Sequence, residues 1–348
     1  MTSFRLPDMS RAVYDVAGLP FDSVTIEQAV SIVLDAVATR KPMFVSTPNL
    51  NFLISAQLDK SFQKSIFESD LSLADGMPIV WIAKILGVPV RERVAGSDLF
   101  EALRAQRKRT IKVYFFGGPE GAAELAARNV NASAELIRHS GSIPGVVCVG
   151  FDSPGFGSVE QMSTTDTIKR INDSGADFVL VALGARKGQA WIQHNRAAIN
   201  APVISHLGAV VNMAAETIRR APRWMQLTGL EWIWRVKEEP SLWRRYVNDG
   251  FELLKMLAIT VLPQVLSRWK RNLSVLVVKR NTGLECLHGG STSRIELSGD
   301  WTALDLPRLV DAVKQCHAGG RKVIVDTKRV RYMDAAVRGM LLLLPDVV

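Results

Sequence analysis

Cysteine is scarce: Cys148, Cys286 and Cys316 are odd in number and far apart in 348 residues, so the sequence holds neither a disulfide framework nor a cysteine metal cluster. A reducing compartment is the simplest expectation. Long apolar runs are also missing. No stretch of about 20 uncharged apolar residues occurs, and the first twenty residues lack the apolar core of a secretory signal. The chain is therefore expected to stay inside the cell and to meet a membrane at most from its surface. The five histidines form no HxxxH or HExxH pair, and no Asp-x-Asp stands near a strand end, so no catalytic metal is indicated. No GxSxG elbow supports a Ser-His-Asp triad. The glycine fingerprint and downstream acid of a nicotinamide-dependent oxidoreductase are missing as well.

What is present has average globular proportions, with 47% hydrophobic and 22% charged residues and a net charge of +9 that suits an anionic partner. From residue 44 to about 207, short apolar runs alternate with helix-length segments, the pattern of an α/β, Rossmann-like parallel sheet flanked by helices. Strands are predicted over 43–48, 71–74, 112–118, 146–151, 177–184 and 201–208. Helices are predicted in LNFLISAQLDKSFQKSIFES, GMPIVWIAKILG, SDLFEALRAQRKR, EGAAELAARNVNA and TTDTIKRINDSG, each with apolar residues three and four apart. In open α/β sheets ligands bind outside the carboxyl ends of the strands. The candidates are accordingly Thr47 to Asn49, Asp75 to Gly76, Gly117 to Gly118 and the stretch from Gly184 onward.

Between residues 217 and 272 the character changes. Eleven basic residues face five acidic ones, and five of the eight tryptophans fall here. FELLKMLAITVLPQVLSRWKR is apolar but interrupted by Glu252, Lys255 and Pro263, which suits a helix lying in the headgroup plane better than a span. A surface helix with core-packed tryptophans and a nucleic-acid arm are the alternatives. After Arg271 the pattern resets: LSVLVVKR, SRIELSG and KVIVDTKRV read as strands, TALDLPRLVDAVKQCHAG as an amphipathic helix and DAAVRGMLLLL as a helix start. The module stops at PDVV, which reads as incomplete. Three regions result: a core over 1–216, a basic Trp-rich appendage and amphipathic membrane helix over 217–272, and a small β/α domain over 273–348.

Asp75 follows the strand LSLA and precedes Gly76, so its carboxylate would stand at the crevice mouth as a general base. An Asp before Gly is also an ordinary turn residue or cap. Thr47 and Asn49 offer short polar groups that can orient a sugar or phosphate, while helix capping is the plainer role for Asn49. FFGGPEG, with Gly117 and Gly118, brings backbone amides toward an anion at a helix end, or simply makes a tight turn.

In this order, TPNLNFL, LADGMPIVWIAKILG, RVAGSDL, FFGGPEG, INDSGADFVLVALG with Trp191 beyond it, and RAPRWMQLTGLEWIWRVKEEPSLWRRY resemble the WecG/TagA/CpsF glycosyltransferases, family GT26, over residues 20 to 247. The resemblance implies a membrane-associated, inverting hexosyltransferase. It would move N-acetylmannosamine, its uronic acid or a glucose-type sugar from a UDP-sugar to a polyprenyl-diphosphate-linked acceptor in cell-surface polysaccharide assembly. It implies that Asp75 is the base, that Thr47 and Asn49 hold sugar, and that Arg93 faces the donor diphosphate. Gly117, Gly118, Gly184, Lys187, Gln189 and Asn212 complete the implied substrate site. Arg219, Arg220, Arg223, Arg235, Arg244 and Arg245 would meet the lipid diphosphate and the membrane. No cofactor and no metal are implied, since arginines can stabilise a leaving diphosphate. Neither is nucleic acid. The implied place is the cytoplasmic face of the membrane, peripherally bound, with self-association among the expectations.

The match departs at several positions. Where the family usually reads Gly-x-Pro-Lys-Gln-Glu-x-Trp, this chain runs from Gly184 to Trp191 with Gly188 for the glutamine and Gln189 for the glutamate. Asn212 stands for a frequent Asp and Glu216 for a frequent Gly. The terminal module resembles a STAS domain through ELSGDW, KVIVDTKRV and YMDAAVRGM, with Asp334-Ala335-Ala336 where phosphorylatable members carry serine. The missing serine argues against a phosphoswitch and for a docking or regulatory role toward a protein partner. The alternative to an active transferase is a catalytically weak UDP-sugar-binding scaffold or regulator of polysaccharide assembly.

Overall fold

The computed structural model describes residues 7–155, 157–274, 282–289, 291–318 and 321–348. In chain order the elements are β1 (Val13–Val16), β2 (Leu19–Asp22), α1 (Ile26–Thr39), β3 (Met43–Ser46), α2 (Leu50–Leu58), α3 (Lys60–Phe67), β4 (Leu71–Ser72), α4 (Met77–Leu86), α5 (Gly96–Ala105), β5 (Ile111–Gly117), α6 (Ala122–His139), β6 (Val146–Asp152), α7 (Thr165–Asp173), β7 (Phe178–Ala182), α8 (Ala185–Asn195), β8 (Val203–His206), α9 (Gly208–Ala214), α10 (Arg223–Leu227) and α11 (Glu231–Glu238). There follow α12 (Trp243–Met256), a π-helical turn (Leu257–Val261), α13 (Leu262–Ser274), β9 (Thr282–Gly289), β10 (Thr292–Trp301), α14 (Leu306–Ala318), β11 (Lys322–Met333) and α15 (Ala335–Leu342).

Two compact units divide this chain, one formed by Val24–Val80 and Arg91–Leu253, the other by Met1–Ser23, Trp81–Val90 and Leu254–Val348. These limits differ from the sequence boundaries at 216 and 272. They place the amino-terminal hairpin with the carboxyl-terminal residues.

The larger unit is the α/β fold. Six parallel strands run in the order β4-β3-β8-β7-β5-β6. All six strands predicted between residues 43 and 208 are present. Alternation along β5 shows how the sheet is covered on both faces: Val113 and Phe115 join the layer with α1, α5, α6 and α9, whereas Tyr114 and Phe116 join Trp191 and Ile192 of α8 and Ile171 of α7. Trp191 is fully buried, stacks on Phe116 at 4.2 Å and donates its indole N–H to the Met162 carbonyl at 3.2 Å. Truncating it to alanine would remove about 3–5 kcal/mol of packing. The helix predicted over LNFLISAQLDKSFQKSIFES is two helices. Asp59 ends α2 and caps α3, its Oδ1 accepting from the Ser61 and Phe62 amides at 3.0 Å each.

In the other unit, β10 pairs antiparallel with β9 and parallel with β11. The strand predicted at 273–280 is not a strand where it is described, because residues 273 and 274 close α13; residues 275–280 lie outside the described residues. The first strand of this sheet is β9 instead. The last residues lie along β11, with Val347 bridging Val325 in parallel. The β1–β2 hairpin packs on α15 so closely that a Cβ on Gly339 would stand 2.6 Å from the Tyr14 Cα. Arg338 of α15 fixes the contact by donating to Asp15 at 2.8 Å, to the Met333 carbonyl at 2.7 Å and to Gln264 of α13 at 2.9 Å.

From Pro240 to Trp269 the chain is one helical run, by length and composition long and apolar enough to cross a membrane, and little of it is buried. Trp243, Val247, Phe251, Leu254, Ile259, Leu262, Leu266 and Trp269 are each roughly half exposed or more. Their steps are three or four residues except for one of five, from Leu254 to Ile259, which crosses the π turn. A turn closed by i to i+5 bonds brings a five-residue step back toward the same face, so the apolar stripe stays continuous. Pro263 has no N–H to give the Ile259 carbonyl, which removes the α-helical bond at that point.

Candidate active site

Short parallel strands deliver the polar candidates to one edge of the sheet. Beyond β4, Leu73 donates its amide to the Ser46 carbonyl at 2.9 Å, and Asp75 donates its own to the Pro48 carbonyl at 3.1 Å. Asp75 is thereby pinned beside Thr47 and Asn49. On its other side the Val94 amide bonds the Ala74 carbonyl at 2.9 Å, and the Gly96 amide, first in α5, reaches Asp75 Oδ2 at 3.4 Å. The N-cap residue of α5, Ala95, supplies no side-chain cap, so the Asp75 carboxylate faces a positive helix end. A Cβ on Gly96 would stand 2.4 Å from Leu207 Cδ2 and 3.4 Å from Thr47 Oγ1, which shows how closely these segments converge.

Burial pushes the Asp75 carboxyl up to about 7, with the Glu231 and Asp98 charges adding to the rise and the Arg93 charge and Gly96 amide opposing it. Removing a carboxylate from water disfavours its charged form, and here that effect outweighs the cation. A carboxyl poised near neutrality can take up and release a proton under ordinary conditions.

Arg93 is expected to face a diphosphate, but the structure commits it to carboxylates. It donates to Asp98 at 2.7 Å and to Glu231 at 2.8 Å, with Gln226 at 3.3 Å. Arg220 also bonds Asp98. Asp98, Gln226 and Glu231 escape sequence reasoning, because nothing local announces that Arg93 pairs across 138 residues.

Asn49 takes the plainer role open to it, capping α2 by accepting from the Phe52 amide at 3.2 Å. Its Cβ lies 4.0 Å from where a Gly76 Cβ would be, so it stays beside the Asp75 turn. Gly117 and Gly118 have φ of +96° and +92°, and a Cβ on Gly117 would press on the Ala182 carbonyl oxygen at 2.8 Å. The Gly118 amide is already spent on that carbonyl at 2.7 Å, so this turn uses one of the amides expected for an anion.

Gln189 is buried and donates to Ser46 Oγ at 3.2 Å, while its Oε1 has no hydrogen-bond partner. Asn212 Oδ1 is likewise buried without a partner. Unpaired buried acceptors of this kind cost about 1–3 kcal/mol each unless something donates to them. Gly184 opens α8 and is exposed. Lys187 is exposed on the same helix and bonds the Gly157 carbonyl at 2.9 Å. It is not brought to Asp75 by any bond. Gly188 leaves room for a ring: a Cβ there would stand 2.2 Å from His206 Cδ2. Glu216, in place of a frequent glycine, has φ of +57°, the left-handed region that glycine adopts without strain.

Of the expected basic set, Arg219, Arg223, Arg244 and Arg245 are exposed, and Arg244 and Arg245 lie over the rings of Trp243 and Tyr246. Arg235 pairs with Glu239 at 3.5 Å. Asp249 of α12 is buried against Asn51 of α2, and burial pushes its carboxyl up. α12 is thus tied to the helix that Asn49 caps.

A family model described as Glycosyl transferase WecG/TagA/CpsF family matches residues 14–269. Three N-acetylglucosaminyldiphosphoundecaprenol N-acetyl-beta-D-mannosaminyltransferases are similar to the chain. That of Bacillus spizizenii is 29% identical over 210 residues, 60% of this chain and 76% of that protein. That of Bacillus subtilis is 24% identical over 221 residues, 63% and 79% of the two chains. That of Staphylococcus aureus is 23% identical over 240 residues, 67% and 87% of the two chains. With most of its length inside the family model and a parallel sheet flanked by helices to match, the chain belongs to the WecG/TagA/CpsF family and is a glycosyltransferase.

Proposed function

We propose that the enzyme transfers an N-acetylmannosamine-type sugar from a UDP-sugar to a polyprenyl-diphosphate-linked sugar with inversion. The observation that carries this reading is Asp75, held at the strand ends with its carboxyl at about 7. Its carboxylate takes the proton of the acceptor hydroxyl as that oxygen attacks the anomeric carbon, while UDP departs from the opposite face. Thr47, Asn49 and the unpaired acceptors of Gln189 and Asn212 hold sugar hydroxyls. Gly117, Gly118, Gly184 and Lys187 line the donor side. Arg93 meets the donor diphosphate by exchanging a carboxylate partner for phosphate oxygens, a geometry that guanidinium matches equally well. The printed names of the three relatives support this donor and acceptor class.

The exposed stripe from Trp243 to Trp269 supports peripheral attachment at the cytoplasmic membrane surface. Tryptophan and aliphatic side chains enter the interface, and Arg219, Arg223, Arg244 and Arg245 meet anionic headgroups and the lipid diphosphate. The carboxyl-terminal β/α module, read as STAS-like, docks a protein partner.

The test is UDP release by the purified enzyme with a panel of UDP-hexoses, with and without polyprenyl-diphosphate-sugar, in the presence of EDTA. Acceptor-dependent, EDTA-resistant release with one donor is expected. Binding of UDP without release for any donor would overturn the transfer reading in favour of a scaffold. Alkaline carbonate extraction of membranes releases a peripheral protein and retains a spanning one.

A further inference from the structure

Two of the three cysteines meet in the carboxyl-terminal module. Ser293 and Ile295 of β10 are fully buried, so they point to the face of the sheet that α14 covers. Their antiparallel partners on β9 are His288 and Cys286, and directly opposed residues share a face. On α14 the buried positions are Leu309, Ala312, Val313 and Cys316. The register therefore brings Cys286, on the exposed edge strand, under Cys316. The two thiols are near enough to perturb one another, and both are free.

Polar groups stand around the pair. The Ser293 hydroxyl lies beside Cys316, and His288 Nδ1 lies 3.1 Å from Ser293 Oγ. Burial and the neighbouring Cys286 raise the Cys316 thiol above its ordinary value, with the Ser293 hydroxyl and the Arg321 charge opposing the rise. Cys148 stands apart from them: it is partly buried on β6, bonds the Gly150 carbonyl, and burial raises its thiol to about 11.

We propose that Cys286 and Cys316 are a modification site, a dithiol that a low-molecular-weight disulfide converts to an intramolecular disulfide. The exposed Cys286 thiolate attacks one sulfur of the disulfide RSSR, whose S–S bond breaks, and RS⁻ leaves and takes up the proton that Cys286 released. The Cys316 thiolate then attacks Cys286 Sγ and expels the second RS⁻, which is protonated by the proton lost from Cys316. Two protein thiols are oxidised by two electrons, and RSSR is reduced to two RSH. The product ties edge strand β9 to α14 across the sheet. Exposure puts the attacking thiol on the outside and proximity puts the resolving thiol directly behind it.

The experiment treats the full chain with glutathione disulfide over a range of reduced-to-oxidised ratios, quenches with an alkylating agent, and maps peptides without reduction. Wild type is expected to lose two of its three thiols together and to yield one peptide pair joining Cys286 to Cys316. Cys316→Ser should trap glutathione on Cys286, and Cys286→Ser should slow modification of Cys316 by about tenfold or more. Melting curves under reducing conditions identify any variant that misfolds. A stable glutathione adduct on wild-type Cys286 without a cross-link, a bond between two chains, or equal modification of Cys316 in Cys286→Ser would overturn the proposal.

Discussion

Gly188 and His206 occupy one volume: the ring of His206 fills the space that a side chain at 188 would need, with Cδ2 2.2 Å from the position of a Cβ. His206 ends β8, is buried, and lies close enough to the Leu183 carbonyl for its Nε2–H to donate at 2.5 Å. The departure from the family pattern at 188 thus has a physical counterpart in the packing of α8 on the sheet. Gly188→Ala should cost about 1–3 kcal/mol of stability by overpacking. Pairing it with His206→Ala should recover part of that loss, and a denaturant double-mutant cycle measures the coupling. Additive losses would separate the two residues.

Asp75→Asn should abolish most transfer, by about 10²–10⁴-fold, while UDP-sugar binding persists. Wild-type kcat/KM should rise with pH through about 7, where Asp75 becomes the carboxylate. The stability sign runs the other way. A carboxyl raised by burial contributes its full stability below its ordinary value near 3.8 and loses it as pH climbs through about 7, so Asp75→Asn should melt no lower than wild type at pH 8. Near-normal turnover of the variant would remove Asp75 from the base role.

Neighbouring charges set where that midpoint falls. Glu231 raises the Asp75 carboxyl and Arg93 lowers it. Glu231→Gln should therefore move the pH–rate midpoint down, and Arg93→Ala should move it up, whatever each does to the maximal rate. Midpoints that stay fixed in both variants would show that another group titrates.

The π turn makes a prediction about membrane attachment. Deleting Ala258 shortens the step from Leu254 to Ile259 to four residues, which a plain α-helix accommodates with the apolar stripe intact. Binding to anionic vesicles should survive. Inserting one alanine after Ala258 turns Leu262, Leu266 and Trp269 by about 100° from the stripe, and vesicle co-sedimentation should fall several-fold. Equal binding by both variants would detach the stripe from the membrane.

The strands from β3 to β8 were readable because parallel strands covered on both faces are nearly continuous apolar runs, as FVLVA in β7 shows. The β1–β2 hairpin was not, since its turn is Ala17-Gly18, with φ of +53° and +93°, and it lacks the stronger Asn-Gly signal. α8 hides behind Gly184 and Gly188, both poor helix formers. α1 did carry a local signal, the capping box of Thr25 and Gln28, which a search for strand alternation passes over. At the candidate site, the strand-end positions of Thr47, Asn49 and Asp75 were legible from the alternation of elements. The carboxylate cage around Arg93 was not, because Glu231 comes to it through tertiary packing alone.

The bond from Arg338 to Asp15 joins residues 323 apart in sequence. β1–β2 thus leaves the ribosome well ahead of α15, and at about 5–20 residues per second the hairpin waits on the order of tens of seconds for its partner. Throughout that interval Val13, Leu19 and Phe21, all buried in the finished fold, have no α15 to cover them. The pace of translation through the intervening chain therefore sets how long a sticky hairpin is offered to other nascent chains.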